Sequence, residues 1–159
     1  MSQINDNAMD GAGATDAIQH LNELLRGEIS AAETYRLAID KVADATNSNA
    51  GLLRGIQVEH GRAAQGIRTR IKELGGDATD SSGAWGVWAK TVQNAMNIFG
   101  DDASLKALKE GEEHGLKDCT DAISHVDPSS AQLITNQLIP NQQRHISLLD
   151  QLMSHPVSG

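Results

Sequence analysis

The sequence predicts an all-α protein built as a four-helix bundle. Apolar residues recur at alternating spacings of three and four along four long segments, which is the pattern of helices that each bury one stripe. Only 3% of the 159 residues are aromatic, so the core must consist mainly of Leu, Ile, Val and Ala. That composition favours helices packed closely on helices, and the length suits one domain.

The first helix is predicted to begin near Thr15 or Asp16, because both residue types favour the N-cap position. The apolar stripe indicates that it continues to about Ala45. Two polar residues, Glu28 and Tyr35, occupy positions in this stripe where a hydrophobic residue would be expected. The first helix therefore directs polar groups toward the core.

The second helix is predicted over residues 50–74, with Gly75 and Gly76 as its C-terminal signal. His60 lies in the middle of its apolar stripe, with Glu59 beside it. The basic residues between 62 and 72 recur at helical spacing, which indicates a solvated face of the helix. These residues are Arg62, Arg68, Arg70 and Lys72.

A shorter helix is predicted over residues 84–99, as the crossover between the second and third long helices. It carries Trp85, Trp88 and Phe99 on one stripe. The stripe either packs on the side of the bundle or, if exposed, forms the contact of a homo-oligomer.

The third helix is predicted over residues 101–125, with Glu112 in its apolar stripe. Asp127 and Pro128 then indicate an N-cap followed by proline at the first helical position. The fourth helix runs to about residue 153, with Gln142 and His145 facing inward. Pro140 predicts a kink, because a proline inside a helix removes one amide hydrogen bond.

The sequence thus predicts a bundle over residues 14–153, with flexible tails at 1–13 and 154–159. The net charge of −8 argues against nucleic acid as a partner, since binding to phosphates depends on clusters of Lys and Arg. No apolar run approaches the roughly 18 residues of a membrane span. The polar N-terminus does not have the pattern of a signal peptide, and Cys119 is the only cysteine, so we expect a cytoplasmic protein.

Each long helix carries an ionisable residue near the middle of its stripe. These residues are Glu28, His60, Glu112 and His145. A buried carboxylate without a partner costs several kcal/mol, roughly, which suggests that the four groups meet one another. Carboxylates and imidazoles that converge between helices are ligands for iron, manganese or zinc. The other interpretation is a polar core layer without metal, in which the same groups hydrogen-bond to one another.

Three segments resemble known ferritin-like proteins. The segment LNELLRGEISAAETY (21–35) resembles the first helix of bacterioferritin-like proteins, in which a glutamate ligand precedes a tyrosine by seven residues, as Glu28 precedes Tyr35. The segment EGEEHGLKD (110–118) resembles the third helix of rubrerythrin-like proteins and places Glu112 at a ligand position. The segment NQQRHISLLDQL (141–152) resembles the fourth helix, whose Glu-x-x-His motif supplies two ligands. His145 matches this motif, but Gln142 stands at the glutamate position.

Residues 15–153 as a whole resemble an uncharacterised bacterial family of ferritin-like bundles, a domain of unknown function. The resemblance implies a degenerate di-iron-type site, with Glu28, Glu112 and His145 at ligand positions. Together with Glu59 and His60 of the second helix, the candidate metal ligands are Glu28, Glu59, His60, Glu112 and His145, and Tyr35 and Gln142 accompany them.

The second helix departs from the pattern, because Glu59 and His60 are adjacent and Ala63 stands near the histidine position of the motif. Counting from the turns, Glu28 and His60 differ in level by roughly two helical turns, which places Glu59 and His60 nearer Tyr35. With two of four carboxylates lost, the sequence favours a single metal ion or none.

Two functions remain open at this point. The first is a metal-binding ferritin-like protein. The second is a non-enzymatic bundle, a stress-associated or scaffold protein, in which a metal-free polar layer fixes the register of the helices.

Overall fold

The computed structural model describes residues 11–42, 48–83, 90, 94 and 101–154. Within these ranges the chain contains helices and no strands, so the predicted all-α four-helix bundle is confirmed. The first three long helices are α1 (Gly11–Val42), α2 (Ser48–Glu73) and α3 (Asp101–Ala122), and a 3₁₀ segment (Ile123–His125) follows α3. The fourth long helix consists of α4 (Pro128–Leu133), a π-helical segment (Ile134–Leu138) and α5 (Ile139–Ser154).

The first helix begins earlier than predicted. It starts at Gly11, so residues 11–13 of the predicted tail are helical. Thr15 is not an N-cap, because its hydroxyl donates to the Gly11 carbonyl at 2.8 Å from inside the helix. The predicted crossover helix, with Trp85, Trp88 and Phe99, lies outside the described residues.

Two glycines end α2, as predicted. Gly75 has φ +81°, a left-handed conformation that glycine adopts without a steric penalty. The Gly76 amide donates to the Ile71 carbonyl at 2.9 Å, and the Gly75 amide donates to the Lys72 carbonyl at 3.0 Å. These two bonds form a Schellman motif and satisfy carbonyls that the helix end would leave free. A Cβ at Gly76 would lie 2.8 Å from the Ile18 side chain, so the turn packs closely on α1.

Asp127 caps the fourth long helix, as the Asp-Pro pair predicts. Its side chain accepts from the Ser130 amide at 3.2 Å, and Pro128 stands at the first turn. Arg70 of α2 donates to Asp127 Oδ2 at 2.7 Å and to the Ser130 hydroxyl at 3.0 Å. The prediction of a uniformly solvated basic face is therefore wrong at Arg70, because this side chain ties α2 to a helix start.

A π-helical segment, Ile134–Leu138, ends two residues before Pro140 and is the irregularity that accompanies this proline. Within this segment the Ile139 amide donates to the Ile134 carbonyl, five residues earlier. Proline has no amide proton and crowds the carbonyl four residues back, which belongs to Asn136. The wider π turn gives that carbonyl space, as π segments inside α-helices commonly do.

The apolar core has two clusters, one toward each end of the bundle. The first includes Leu21, Leu25, Ile67, Ile71, Ile134 and Leu138. The second includes Tyr35, Ile39, Leu53, Ile56, Leu108 and Leu149. On each long helix, the ionisable residue of the stripe lies between the residues of these two clusters. The bundle therefore has a polar layer at mid-height, closed above and below by aliphatic side chains.

The helices pair as two hairpins, with α1 packed chiefly on α2 and α3 packed chiefly on α5. Each hairpin contributes two of the four ionisable residues of the polar layer, one from each of its helices. Within the described ranges, no helix combines the length and the apolar character that a membrane span requires.

Candidate metal centre

Four ionisable side chains from four helices meet in the polar layer. Glu28 of α1, His60 of α2, Glu112 of α3 and His145 of α5 are all at most 4% exposed. Their burial follows from the sequence pattern, because each stands where its helix turns its apolar stripe inward. The structure therefore brings together the four residues that the apolar periodicity singled out.

His60 lies at the middle of this layer. Its Nδ1 atom is 2.6 Å from Glu28 Oε2, and its Nε2 atom is 2.8 Å from Glu112 Oε1. The ring thus bridges carboxyl groups of α1 and α3. Its centroid also lies 4.8 Å from that of the His145 ring and 5.4 Å from that of the Tyr35 ring.

The predicted difference in level between Glu28 and His60 is wrong. Glu28 lies 14 residues before Val42, the last described residue of α1, and His60 lies 12 residues after Ser48, the first residue of α2. At 1.5 Å per residue this difference is about 3 Å, which a side chain spans. The error arose from the assumed ends of the two helices. His60 consequently contacts Glu28 as well as Tyr35.

Tyr35 completes the hydrogen bonding of Glu112. Its hydroxyl donates to Glu112 Oε1 at 2.7 Å, the oxygen that also faces His60. Burial and the neighbouring Glu112 carboxylate raise the pKa of the Tyr35 phenol well above its usual range. The phenol therefore stays protonated and serves as a hydrogen-bond donor to Glu112.

Gln142 lies between the two carboxyl groups. With its amide nitrogen toward Glu112, it donates to Glu112 Oε2 at 2.6 Å and to the Glu112 carbonyl at 3.0 Å. In the opposite orientation, the nitrogen is 3.4 Å from Glu28 Oε1. A Cβ at Gly115 would approach the Gln142 amide to 2.8 Å, so this glycine makes room for Gln142. The role of Gly115 beside Gln142 could not be read from the sequence.

His145 links the buried Glu112 to Glu59 at the edge of the polar layer. Its Nδ1 atom is 3.3 Å from Glu112 Oε2, and its Nε2 atom is 2.5 Å from Glu59 Oε2. The Glu59 side chain is 31% exposed and also accepts from Arg144 Nη2 at 2.5 Å. Glu59 therefore borders the centre and orients His145, while the other ionisable groups lie inside. Sequence reasoning missed Arg144, since an exposed arginine on a polar face carries no distinguishing signal.

In this centre, a positively charged imidazole lies between carboxylates. Burial alone would lower the pKa of the His60 imidazole, but Glu112 and Glu28 outweigh it and raise this pKa to about 10. Burial alone would raise the pKa of Glu112, but the charge of His60 and the bonds from both histidines lower it to about 2. In the metal-free protein, His60 is therefore an imidazolium at neutral pH.

Three of these side chains form a set of potential metal ligands. One atom from each of His60, Glu112 and His145 can be chosen so that all three lie within 4.8 Å of one another. Two imidazoles and one carboxylate form a ligand set of zinc and of non-haem ferrous iron. The donor chemistry therefore fits one transition-metal ion.

A pair of metal ions does not fit the same residues. The di-metal sites of ferritin-like proteins use a Glu from each of two helices and a Glu-x-x-His motif from each of the other two. Here His60 stands three residues before Ala63, and Gln142 stands three residues before His145. Two of the four carboxylates and one of the two imidazoles of such a site are therefore replaced.

A cavity of about 50 Å³ leads to the centre between α1 and α3. It extends from exposed Glu23 and half-buried Asp118 to the buried groups of Glu28 and His60. Gly27 leaves part of this space open, because a Cβ there would meet no atom within 4 Å. The cavity therefore reaches from surface residues to the polar layer.

The bundle is similar to several solved structures. One is a Rhodobacter capsulatus bacterioferritin described with a metal-free dinuclear site and haem iron, at 22% identity over 88% of this chain and 84% of that chain, with a TM-score of 0.75. Another is DpsC from Streptomyces coelicolor, at 18% identity over 94% and 90% of the two chains, with a TM-score of 0.76. A third, a ferritin-like diiron-carboxylate protein from Bacillus anthracis, has 18% identity over 91% and 99%, with a TM-score of 0.68.

At these identities the likeness shows the fold alone, which is the ferritin-like four-helix bundle that the sequence predicted. A comparison with curated proteins finds no match. Residues 16–125 match a family model described as a domain of unknown function, DUF2383. This match covers more than half of the chain and agrees with the predicted resemblance to an uncharacterised ferritin-like family. The chain therefore belongs to the DUF2383 family.

Proposed function

We propose that this protein binds one divalent transition-metal ion in the polar layer of its bundle, through His60, Glu112 and His145. The observation that carries the proposal is the convergence of these three buried donors from three different helices. The set of two imidazoles and one carboxylate favours zinc or ferrous iron, with manganese as a harder alternative.

The charge of the centre supports the proposal. Two buried carboxyl groups, Glu28 and Glu112, contact a single imidazolium, that of His60. A metal ion needs an unprotonated imidazole nitrogen, so its binding releases a proton from His60. The proton and the metal ion therefore compete for the same imidazole nitrogen of His60. Either one supplies a positive charge beside the carboxyl groups.

The surrounding residues fit such a site. Metal-bound histidines usually donate their second ring nitrogen to a carboxylate, which fixes the orientation of the ring. Glu59 is placed for this role beside His145 Nε2, and Glu28 is placed for it beside His60 Nδ1. Tyr35 and Gln142 hold the Glu112 carboxylate. The cavity between α1 and α3 supplies a path for the ion.

The likeness to ferritin-like proteins supports iron among the candidate metals. Two of the three solved neighbours are described with dinuclear or diiron sites. The present chain lacks two of the four carboxylates of such a site, so we propose a mononuclear derivative of it. A bound ion in this layer would supply Lewis acidity. Tyr35 and Gln142 would hold the Glu112 carboxylate that binds the ion.

The second candidate is a metal-free bundle that acts through its surfaces as a stress-associated or scaffold protein. It is favoured by the complete hydrogen bonding of the layer, since each carboxyl oxygen of Glu112 has a donor. In this case the imidazolium of His60 replaces the metal permanently, and the layer serves only to fix the helix register.

Anomalous diffraction distinguishes the two candidates. Crystals of protein purified without chelator, and crystals soaked in Zn²⁺, Mn²⁺ or anaerobic Fe²⁺, would be measured above and below each metal edge. We expect an anomalous peak between His60, Glu112 and His145, and none at that place in His145→Gln crystals. Glutamine approximates the polarity of histidine, so this variant should remain folded.

Thermal unfolding with and without chelator gives a second measurement, and a surface variant gives the matched control. The conservative change Glu110→Gln alters an exposed carboxylate on the same helix as Glu112 and should leave the metal peak in place. If wild-type crystals soaked in all three metals show no peak in the polar layer, and chelator leaves the melting temperature unchanged, the metal proposal is wrong and the metal-free bundle remains.

A further inference from the structure

We propose a second metal site, on the surface of the bundle, formed by Asp16, His20 and His125. It would bind a late first-row divalent ion, for which Zn²⁺ is the test case. One potential ligand atom from each of these side chains lies within 4.8 Å of the other two. The proposal does not depend on the buried centre, because it shares no residue with it.

The two imidazoles already lie face to face. The ring centroids of His20 and His125 are 4.5 Å apart, with an angle of 19° between the ring planes. His20 Nε2 is 3.6 Å from Asp16 Oδ1, and His125 Nδ1 is 3.9 Å from Asp16 Oδ2. The carboxylate thus faces a nitrogen of each ring, and all three side chains point to one small region.

These distances suit a tetrahedral ion. With metal–nitrogen bonds of about 2.0–2.1 Å, neighbouring ligand atoms around zinc lie roughly 3.4 Å apart. The two nitrogen–oxygen separations exceed this value by a few tenths of an ångström, but they involve different oxygens of Asp16. The stacked rings must also turn, because a metal ion lies in the plane of each imidazole that binds it. Asp16 is 52% exposed and His125 is 53% exposed, so both side chains have room for these rotations. Water would occupy the fourth position, since the site faces solvent.

The ligands come from different parts of the chain. Asp16 and His20 are one turn apart on α1, whereas His125 ends the 3₁₀ segment after α3. An ion held by all three would therefore crosslink the early part of α1 to the end of the third helix. Such a crosslink stabilises the folded chain, because the unfolded chain does not hold these ligands together.

The chain contains a matched control on α3. His114 Nε2 lies 4.0 Å from Asp118 Oδ2, with the same spacing of four residues as Asp16 and His20. Within the described residues, this pair is not part of a set of three such ligand atoms. Removal of His114 therefore tests whether a histidine and an aspartate at this spacing suffice for binding.

Zinc titration by calorimetry and by thermal unfolding tests the proposal. The proteins are the wild type, His20→Ala, His125→Ala, His114→Ala and the core variant His145→Gln. We expect His20→Ala and His125→Ala each to lose one equivalent of bound Zn²⁺, and His114→Ala and His145→Gln to retain it. At a zinc concentration of about 100 times Kd, the melting temperature should rise by roughly 5 °C or more through this site alone.

The outcome separates the two metal sites. If His145→Gln binds no zinc while crystals of the wild type show an ion in the polar layer, the surface site is wrong and the buried site stands. If His125→Ala and the wild type bind equal amounts of zinc, the surface site is likewise wrong. An anomalous peak between Asp16, His20 and His125, absent from His125→Ala crystals, would establish the surface site even if the buried layer holds no metal.

Discussion

The Nε2 atom of His60 lies 2.8 Å from Glu112 Oε1, and this pair connects the two hairpins of the bundle through its interior. His60 belongs to the hairpin of α1 and α2, and Glu112 belongs to the hairpin of α3 and α5. The pair is buried on both sides by aliphatic clusters. A shift of one hairpin along the other would separate the charges in a medium of low dielectric constant, so the pair favours the observed register.

The first prediction concerns the charge of Glu112. The change Glu112→Gln keeps the size of the side chain but leaves the imidazolium of His60 with Glu28 as its remaining carboxyl partner. Removing one member of a buried pair typically costs about 3–5 kcal/mol, because the other charge stays buried. We expect the free energy of unfolding in EDTA to fall by about 3 kcal/mol, measured by urea denaturation.

The exposed change Glu110→Gln on the same helix provides the control and should have no resolvable effect. If Glu112→Gln unfolds at the same urea concentration as the wild type, the ion pair does not hold the hairpins together. A change in the slope of the transition would indicate altered compactness and would require a direct comparison of the folded states.

The sequence was sufficient to identify the four residues that meet in the polar layer. A polar residue in an apolar stripe is visible in one dimension, and Glu28, His60, Glu112 and His145 were found this way. The level of His60 was wrong because it depends on where α1 ends and α2 begins, and the predicted bounds of these two helices differ from Val42 and Ser48. Residue spacing alone also cannot show that Gly115 makes room for Gln142.

Contacts between surface residues that lie far apart in the sequence were even harder to predict. Asp16 and His125 are more than 100 residues apart in the sequence, and no periodicity links them. They meet because the 3₁₀ segment after α3 ends beside α1. Arg70 was assigned to a solvated face for the same reason, since its partner Asp127 lies on another helix. Local patterns predict which residues face inward, whereas the partners of a surface residue depend on the packing of whole helices.

The second prediction is the pH dependence of the metal-free protein. The pKa of His60 is about 10 in the folded state and 6.5 in the unfolded chain, so its contribution is complete below pH 6.5 and is lost as the pH rises toward 10. The pKa of Glu112 is about 2 when folded and 4.5 when unfolded, so its contribution is complete above pH 4.5 and is lost as the pH falls toward 2. The pair therefore stabilises the fold most between pH 4.5 and 6.5.

Urea unfolding in EDTA between pH 5 and 10 measures the alkaline side of this dependence. The wild type should lose stability above pH 6.5, and His60→Gln should show a flatter profile, because glutamine does not titrate. The affinity for Zn²⁺ should instead rise with pH, because Zn²⁺ must displace the proton of His60. A His60→Gln profile as steep as that of the wild type would assign the alkaline loss to other groups.

The third prediction compares two glycines. Gly115→Ala places a methyl group 2.8 Å from the Gln142 amide, whereas Gly27→Ala places one in open space. Both changes raise helix propensity, which stabilises a helix interior by about 1 kcal/mol. We expect Gly27→Ala to be stabilising and Gly115→Ala to be at least 1 kcal/mol less stable than Gly27→Ala, because Gln142 must move away from Glu112.

Chemical denaturation of both variants, with and without Zn²⁺, measures this difference. Both variants add one methyl group to a glycine inside a helix. The gain in helix propensity is therefore the same for both and cancels in the comparison. Equal stabilisation by the two alanines would show that Gln142 moves without cost and that its contact with Glu112 contributes nothing. Gly115→Ala combined with Gln142→Ala should recover most of the difference, since the crowded amide is then absent.

The fourth prediction concerns the start of the fourth long helix. Asp127 accepts from the Ser130 amide and hydroxyl and from Arg70 Nη2. Burial opposes the charge of Asp127, but the bonds from Ser130 and Arg70 outweigh it and lower the pKa of this carboxyl group. Asp127→Ala removes an N-cap and leaves a half-buried guanidinium with fewer acceptors. We expect a loss of about 2 kcal/mol in the free energy of unfolding.

The pair Lys117–Asp121 provides the comparison, because both of its side chains are more than 60% exposed. Ion pairs of this kind contribute little, so Asp121→Ala should leave the unfolding midpoint unchanged. Asp127→Asn should lie between the wild type and Asp127→Ala, since asparagine still caps a helix but carries no charge for Arg70. If Asp127→Asn is as destabilising as Asp127→Ala, the ion pair with Arg70 accounts for the effect and the cap does not.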